Sequence, residues 1–211
     1  MEKIIFDTNT YLYKTKLNFT KFKYLILKEC EELIMRYRIN APHALEHDAY
    51  VYYYNYKDPN FLGEIKIKNK LDGILKAGID ACVNVHIWEE YGAPFNKIST
   101  QCWVNLIKAK NPVQQKRFHS NNRFHDHVSL NKEQQLYTPH YTYVYYIQMP
   151  DNLSNDDGVL YLKGDNKEYS MLPEEGDLII MKADMPHAPT VALNSSKDRI
   201  VLAGNVGLEL I

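Results

Sequence analysis

No stretch of this sequence approaches the ~20 consecutive apolar residues that a membrane-spanning helix needs. Its opening residues, Met1-Glu-Lys-Ile-Ile-Phe-Asp, interrupt early any apolar run of the kind a signal peptide carries. Cysteine is scarce. Cys30, Cys82 and Cys102 are odd in number and irregularly spaced, which excludes a disulfide framework or zinc knuckle and fits a reducing cytoplasm. Charge of one sign is also missing: 25 basic residues meet 26 acidic ones, so no long-range field draws the chain to nucleic acid or an anionic membrane. There is no repeat, low-complexity tract or flexible linker, and no Gly-x-Ser-x-Gly nucleophile motif. Gly164-Asp-Asn-Lys reads as a turn, because it has neither the length nor the setting of a phosphate loop. What remains is an ordinary globular composition, and the expectation is a cytoplasmic protein forming a single domain over residues 1–211.

Two kinds of pattern divide that domain. In residues 1–100, Phe22, Ile26, Cys30, Leu33 and Tyr37 recur at steps of three and four, predicting a helix over Thr20–Tyr37. A second helical pattern covers Lys70–Glu90 and ends at Gly92 and Pro94. Tyr50–Tyr56 between them reads as a strand or an ordered loop. In residues 101–211 the pattern changes to short β-type runs, at Cys102–Ile107, Tyr141–Met149, Gly158–Lys163, Asp177–Lys182 and Arg199–Gly204. Turn clusters such as Asn155-Asp-Asp-Gly158 and Pro173-Glu-Glu-Gly176 separate them. The predicted class is α+β, a jelly-roll core with the N-terminal helices packed on one face.

The chemistry-bearing residues are histidines. Of His43, His47, His86, His119, His125, His127, His140 and His187, five lie in the β half. Side chains on a strand alternate with a period of two, so His125 and His127 would present two imidazoles on one face to one ion. Imidazole suits iron, zinc, copper and nickel. Further on, the turn at Pro173–Gly176 feeds an apolar strand, and His187 follows in a loop flanked by Pro186 and Pro189. Twelve residues later Arg199 heads the apolar run Ile200-Val-Leu-Ala. An arginine in a buried strand is costly unless it is paired.

These residues together resemble the double-stranded β-helix oxygenases that use iron(II) and 2-oxoglutarate, above all the small members encoded by bacteriophages and marine bacteria. The likeness rests on Pro173, Gly176-Asp-Leu-Ile179, His187, Arg199-Ile200 and Asn205, with His125/His127 and Tyr143-Val-Tyr-Tyr146 upstream. It covers about half the chain. It implies Fe(II) held by His125, His127 and His187, with coordination positions left open for the keto acid and O2. It implies that Arg199 grips the far carboxylate of 2-oxoglutarate through paired charge-assisted bonds. Tyr145 and Asn205 would be further contacts of the keto acid. The expected activity is hydroxylation of an unidentified substrate coupled to oxidative decarboxylation of 2-oxoglutarate.

The sequence departs from that pattern at two places. Position 127 is His where an acid is usual, so Asp126 and His140 stay open as alternatives for completing the ligand set. Position 201 is Val where many relatives carry Ser beside the arginine. Residues Ser129–Tyr137 read as an inserted loop or lid. Two rival readings share the fold: a three-His cupin-type dioxygenase without 2-oxoglutarate, and a non-catalytic jelly-roll binding module. His43-Ala-Leu-Glu-His47 matches an inverted zinc-peptidase pattern but runs straight into Tyr-rich, non-helical sequence, so it reads as surface. His86 reads as a core histidine.

Overall fold

The computed structural model describes residues 1–40, 49–51, 54–55, 69–92, 95–109, 118–121, 139–153 and 156–210. In chain order these form β1 (Glu2–Ile5), β2 (Tyr11–Lys16), a 3-10 turn (Thr20–Phe22) and α1 (Lys23–Asn40). Then come β3 (Ala49–Val51), β4 (Tyr54–Asn55), α2 (Asn69–Asn84), a π-helical turn (Val85–Glu90) and β5 (Phe95–Ile107). The rest is strand: β6 (Tyr141–Gln148), β7 (Leu160–Lys163), β8 (Glu168–Met171), β9 (Asp177–Lys182), β10 (His187–Pro189) and β11 (Arg199–Leu210). The larger sheet runs β1-β2-β9-β6-β11-β5-β3, with β4 also on β5; the smaller runs β10-β7-β8, and every pairing is antiparallel.

The larger sheet is buried on both faces, and alternation along its strands assigns each residue to one of two cores. On β6, Tyr141, Tyr143, Tyr145 and Ile147 face the helices, where they meet Ile26 and Cys30 of α1 and Leu71, Ile74, Leu75 and Cys82 of α2. The intervening Val144 and Tyr146 face inward, against Ile179 and Met181 of β9, Val201 and Ala203 of β11, and Leu160 and Leu162 of β7. The helices therefore cover the outside of a sheet whose inside closes on the smaller one. This is the expected α+β jelly roll with its helical face.

Several elements differ from the sequence reading. The larger sheet also draws on residues before position 101: β1 and β2 form a hairpin whose second strand pairs with β9, and β3 and β4 pair with β5. Leu12 and Tyr13 enter the two cores from opposite faces of β2. Helix α1 starts after Phe22, which is exposed, so the apolar stripe begins at Ile26. His187 opens a strand rather than lying in a loop. The predicted turns hold: Gly158 and Gly176 adopt φ of 70° and 86°, a region that favours glycine. Among the described residues, no helix is long and apolar enough to cross a membrane.

Candidate active site

The inward face of β5, β6 and β11 and the facing β7 and β10 enclose a cleft of about 410 Å³ counted out to its open mouth. His119, Asn121, His187, Arg199, Tyr146 and Asn105 are among the residues that line it.

Two histidines meet there across strands. His119 forms an antiparallel bridge with His187, each donating its backbone N–H to the other's carbonyl at 3.0 and 2.9 Å. Their rings lie 4.4 Å apart between centroids. His187 is buried, and its Nδ1 lies 3.0 Å from the Met185 carbonyl. A carbonyl only accepts, so Nδ1 carries the proton and Nε2 keeps its lone pair, the tautomer a metal ligand needs. Burial, with the neighbouring His119, pushes the His187 imidazole down to about 4, so it is neutral at physiological pH. Asn121, two residues after His119, is buried in the same cleft, its backbone N–H held by the Ala183 carbonyl at 2.7 Å.

The other end of the cleft is cationic. Arg199 is buried at the start of β11, and its guanidinium lies 5.1 Å from the centroid of the Tyr146 ring. No described residue forms an ion pair with it, and its Nε is a buried donor with no hydrogen bond of good geometry. Such a group is costly unless a ligand satisfies it. Val201, next on the inward face of β11, pairs with Asn105 of β5 on one side and Tyr146 of β6 on the other. Asn105 Oδ1 is likewise buried without a partner, while the Tyr146 hydroxyl lies against the Arg199 guanidinium, which pulls its pKa down against burial. Beyond them, Thr142 Oγ1 donates to Asn205 Oδ1 at 2.8 Å, both side chains fully buried.

The structure brings His187 and Arg199 into one cleft, with Asn205 bonded to the lining residue Thr142. His125, His127, Asp126 and the Ser129–Tyr137 loop lie outside the described residues. Tyr145 is a correction: it sits on the helix side of β6, edge-on to Phe19 at 5.9 Å, whereas its neighbour Tyr146 faces the cleft. Because every residue of β6 from Tyr141 to Ile147 is buried, its sequence carries no polar–apolar alternation to reveal which tyrosines point inward. His140 is turned away as well: its Nδ1 accepts the Leu208 N–H at 3.1 Å, and its ring lies 6.3 Å from that of His86. His86 is a core residue, its Nδ1 3.2 Å from Tyr141 Oη. A cleft histidine that the sequence reading did not single out is His119. The available signal was the same period of two, His119-Ser-Asn121, six positions before the His125-Asp-His127 pair.

No protein-family model matches this sequence, and no curated protein matches it closely enough to count. Solved structures do share its fold. One is a prolyl-4-hydroxylase of Pseudomonas putida, with a TM-score of 0.54 and 17% identity over 93% of this chain and 91% of that one. A viral collagen prolyl hydroxylase from Paramecium bursaria Chlorella virus-1, solved with 2-oxoglutarate, gives 0.54 and 13% over 96% and 97%. A Trichoplax adhaerens prolyl hydroxylase bound to a hypoxia-inducible-factor peptide gives 0.56 and 12% over 95% and 84%. This chain therefore shares the fold of these prolyl hydroxylases, a jelly-roll core with helices on one face.

Proposed function

We propose that this protein is a non-heme iron(II)- and 2-oxoglutarate-dependent oxygenase that hydroxylates its substrate. The observation that carries the reading is the pairing of two groups in one cleft. A buried, neutral His187 has Nε2 available for a metal, and a buried Arg199 has no carboxylate partner among the described residues. His187 and His119 would supply two donors to the metal and Arg199 a cation to the keto acid; among the described residues no group of three His, Cys, Asp or Glu completes the ligand set. A three-His dioxygenase without a keto acid would leave Arg199 unexplained.

His187 is the distal metal ligand in this proposal. The upstream ligand is His119, whose backbone is bridged to that of His187, and Asn121, which lines the same cleft, would offer a neutral amide oxygen as a third donor. His125 and His127, expected from the sequence, remain the alternative source of these ligands. Bound iron(II) and the keto acid would supply O2 activation coupled to oxidative decarboxylation, giving succinate, CO2 and a hydroxylated substrate. The protein's share is placement. The Met185 carbonyl fixes the His187 tautomer, and Arg199 would orient the keto acid through its far carboxylate. The proposed location is the cytoplasm.

Anaerobic addition of 2-oxoglutarate to the iron(II)-loaded protein should produce a visible metal-to-ligand charge-transfer band. Admission of air with ascorbate as reductant should then release succinate, and His187→Ala should abolish both signals. If the purified protein binds no transition metal, the proposal is lost.

A further inference from the structure

In the π-helical turn after α2, Trp88 and Glu89 are exposed, whereas Val85 and His86 are buried and Glu90 reaches the tyrosines of β2. His86 is where the turn closes. Its carbonyl accepts the backbone N–H groups of Tyr91 at 3.0 Å and Gly92 at 3.3 Å. Its side chain is fully buried, with Nδ1 3.2 Å from Tyr141 Oη of β6. One residue thus shapes the turn through its backbone and pins it through its ring. Tyr141 precedes Thr142 on β6, so the strand gripped on this face lines the cleft on the other. Helical turns of the π type are uncommon, and many mark functional positions.

The surroundings of the ring are poor ones for a cation. A second imidazole, His140 just before β6, lies edge-on 6.3 Å away, and its Nδ1 accepts the Leu208 N–H of β11. Tyr141 contributes a hydroxyl, and the Tyr91 ring packs 5.0 Å from that of His86. Of the turn's two acids, Glu89 is exposed, and Glu90 is already shared by Tyr11 and Tyr13 of β2, Lys3 of β1 and Lys182 of β9. Burial first, then His140, makes His86 harder to protonate than an ordinary histidine, and Glu90 offsets only part of that. A charged ring in such a pocket is relieved by leaving it for water.

We infer that His86 is an acid-sensitive latch: uncharged, it pins the π-helical turn to β6, and protonated, it releases the turn from the sheet. The release is linked to one proton. Below the ordinary histidine value of about 6.5, the open form therefore gains on the closed one by up to about tenfold per pH unit. The gain ends at the lower value of the buried ring itself. The latch works whether or not the cleft binds a keto acid.

The test is hydrogen exchange of the full-length protein between pH 7.5 and pH 5, with each amide corrected for its intrinsic rate at that pH. In wild type the amides of Tyr91 and Gly92 should lose protection on acidification, by roughly threefold or more at pH 5, while those of β11 hold. His86→Asn, whose amide can replace Nδ1 at Tyr141 Oη without titrating, should show no such pH dependence. If that variant does not fold, the His86 ring resonance of wild type decides, because a latch requires the ring to titrate over the range in which the turn opens. Protection unchanged down to pH 5, a loss shared equally by β11, or an equal acid response in His86→Asn overturns the inference. So does a ring that titrates while the turn stays closed.

Discussion

His119 and His187 are held opposite one another by a reciprocal pair of backbone hydrogen bonds, and their rings come to 4.4 Å between centroids. The two imidazoles are thus brought together across strands, by pairing between residues 68 positions apart (187 − 119). Strand β10 contains three residues and begins at His187, so the bridge to His119 extends the smaller sheet beside the cleft, where the proposed metal would bind. A donor pair built this way is preorganised by the backbone, which is how a rigid scaffold limits the entropy lost on binding an ion.

Removing one of these rings gives the first prediction. His119→Ala should weaken cobalt(II) binding by more than the ~10–100-fold that loss of an outer-shell partner costs. The metal-free melting temperature should stay nearly unchanged, because the His119 side chain is exposed and its backbone bonds survive. Titrations of His119→Ala, His125→Ala and His127→Ala side by side decide the matter. Wild-type affinity in His119→Ala, with loss in either of the others, would return the ligand set to the pair expected from sequence.

Asn121 invites the reverse experiment. A carboxylate two residues after His119 on the same face would add a negative charge to an otherwise neutral donor set. Asn121→Asp should therefore tighten iron(II) or cobalt(II) binding, by on the order of tenfold, and metal should raise its melting temperature more than it does for wild type. If the cleft binds metal elsewhere, the new acid is simply buried and unpaired. The variant would then be destabilised and metal would not rescue it.

How much of this was legible in the sequence depends on which side chains advertise their partners. His187 and Arg199 were, because a histidine among prolines and an arginine in an apolar run each break the surrounding pattern. His119 was not singled out: the spacing His119-Ser-Asn121 is a weak signal alone, and its pairing with residue 187 is a long-range register that local sequence does not show. Which of Tyr145 and Tyr146 faces the cleft was not legible for a related reason, since a strand buried on both faces looks uniformly apolar. The β1–β2 hairpin escaped notice because Glu2–Ile5 and Tyr11–Lys16 are short and carry lysines. Lys14 nonetheless forms an ion pair with the fully buried Asp177 of β9 at 2.8 Å, and that pair helps dock the hairpin.

Tyr143 yields a prediction of unusual sign. Its ring is clamped between Gly78 of α2 and Gly204 of β11: a Cβ at either position would fall about 2.5 Å from Tyr143 atoms. In an exposed helix Gly→Ala ordinarily gains about 1 kcal/mol. Gly78→Ala should instead destabilise, as should Gly204→Ala, each by roughly 1–3 kcal/mol or about 2–12 °C in melting temperature. Tyr143→Phe, by contrast, should cost nothing or stabilise slightly, because the hydroxyl it removes is buried without a partner. A stabilised Gly78→Ala in thermal melts would contradict the clamp.

The last prediction concerns Glu90, which ends the π-helical turn after α2 and fastens it to the edge of the larger sheet. It accepts hydrogen bonds from Tyr13 at 2.5 Å and Tyr11 at 2.9 Å, and Lys3 and Lys182 approach to 3.7 Å. Burial pushes its carboxyl up, but the two tyrosine hydroxyls and both lysines outweigh burial, and the net shift is downward. For an acid whose folded pKa lies below its unfolded one, the stabilisation is fully present above the unfolded value. It is lost as pH falls through the folded value. Glu90→Gln keeps the shape but not the charge, so at pH 7 it should cost on the order of 2 kcal/mol, a fall of roughly 4–8 °C. That gap should hold down to about pH 4.5 and shrink below it as wild type takes up the proton the variant never needed. Melts of both proteins from pH 7 to pH 3 measure it directly. A gap as wide at pH 3 as at pH 7 would mean that packing, and not the charge on Glu90, anchors the turn.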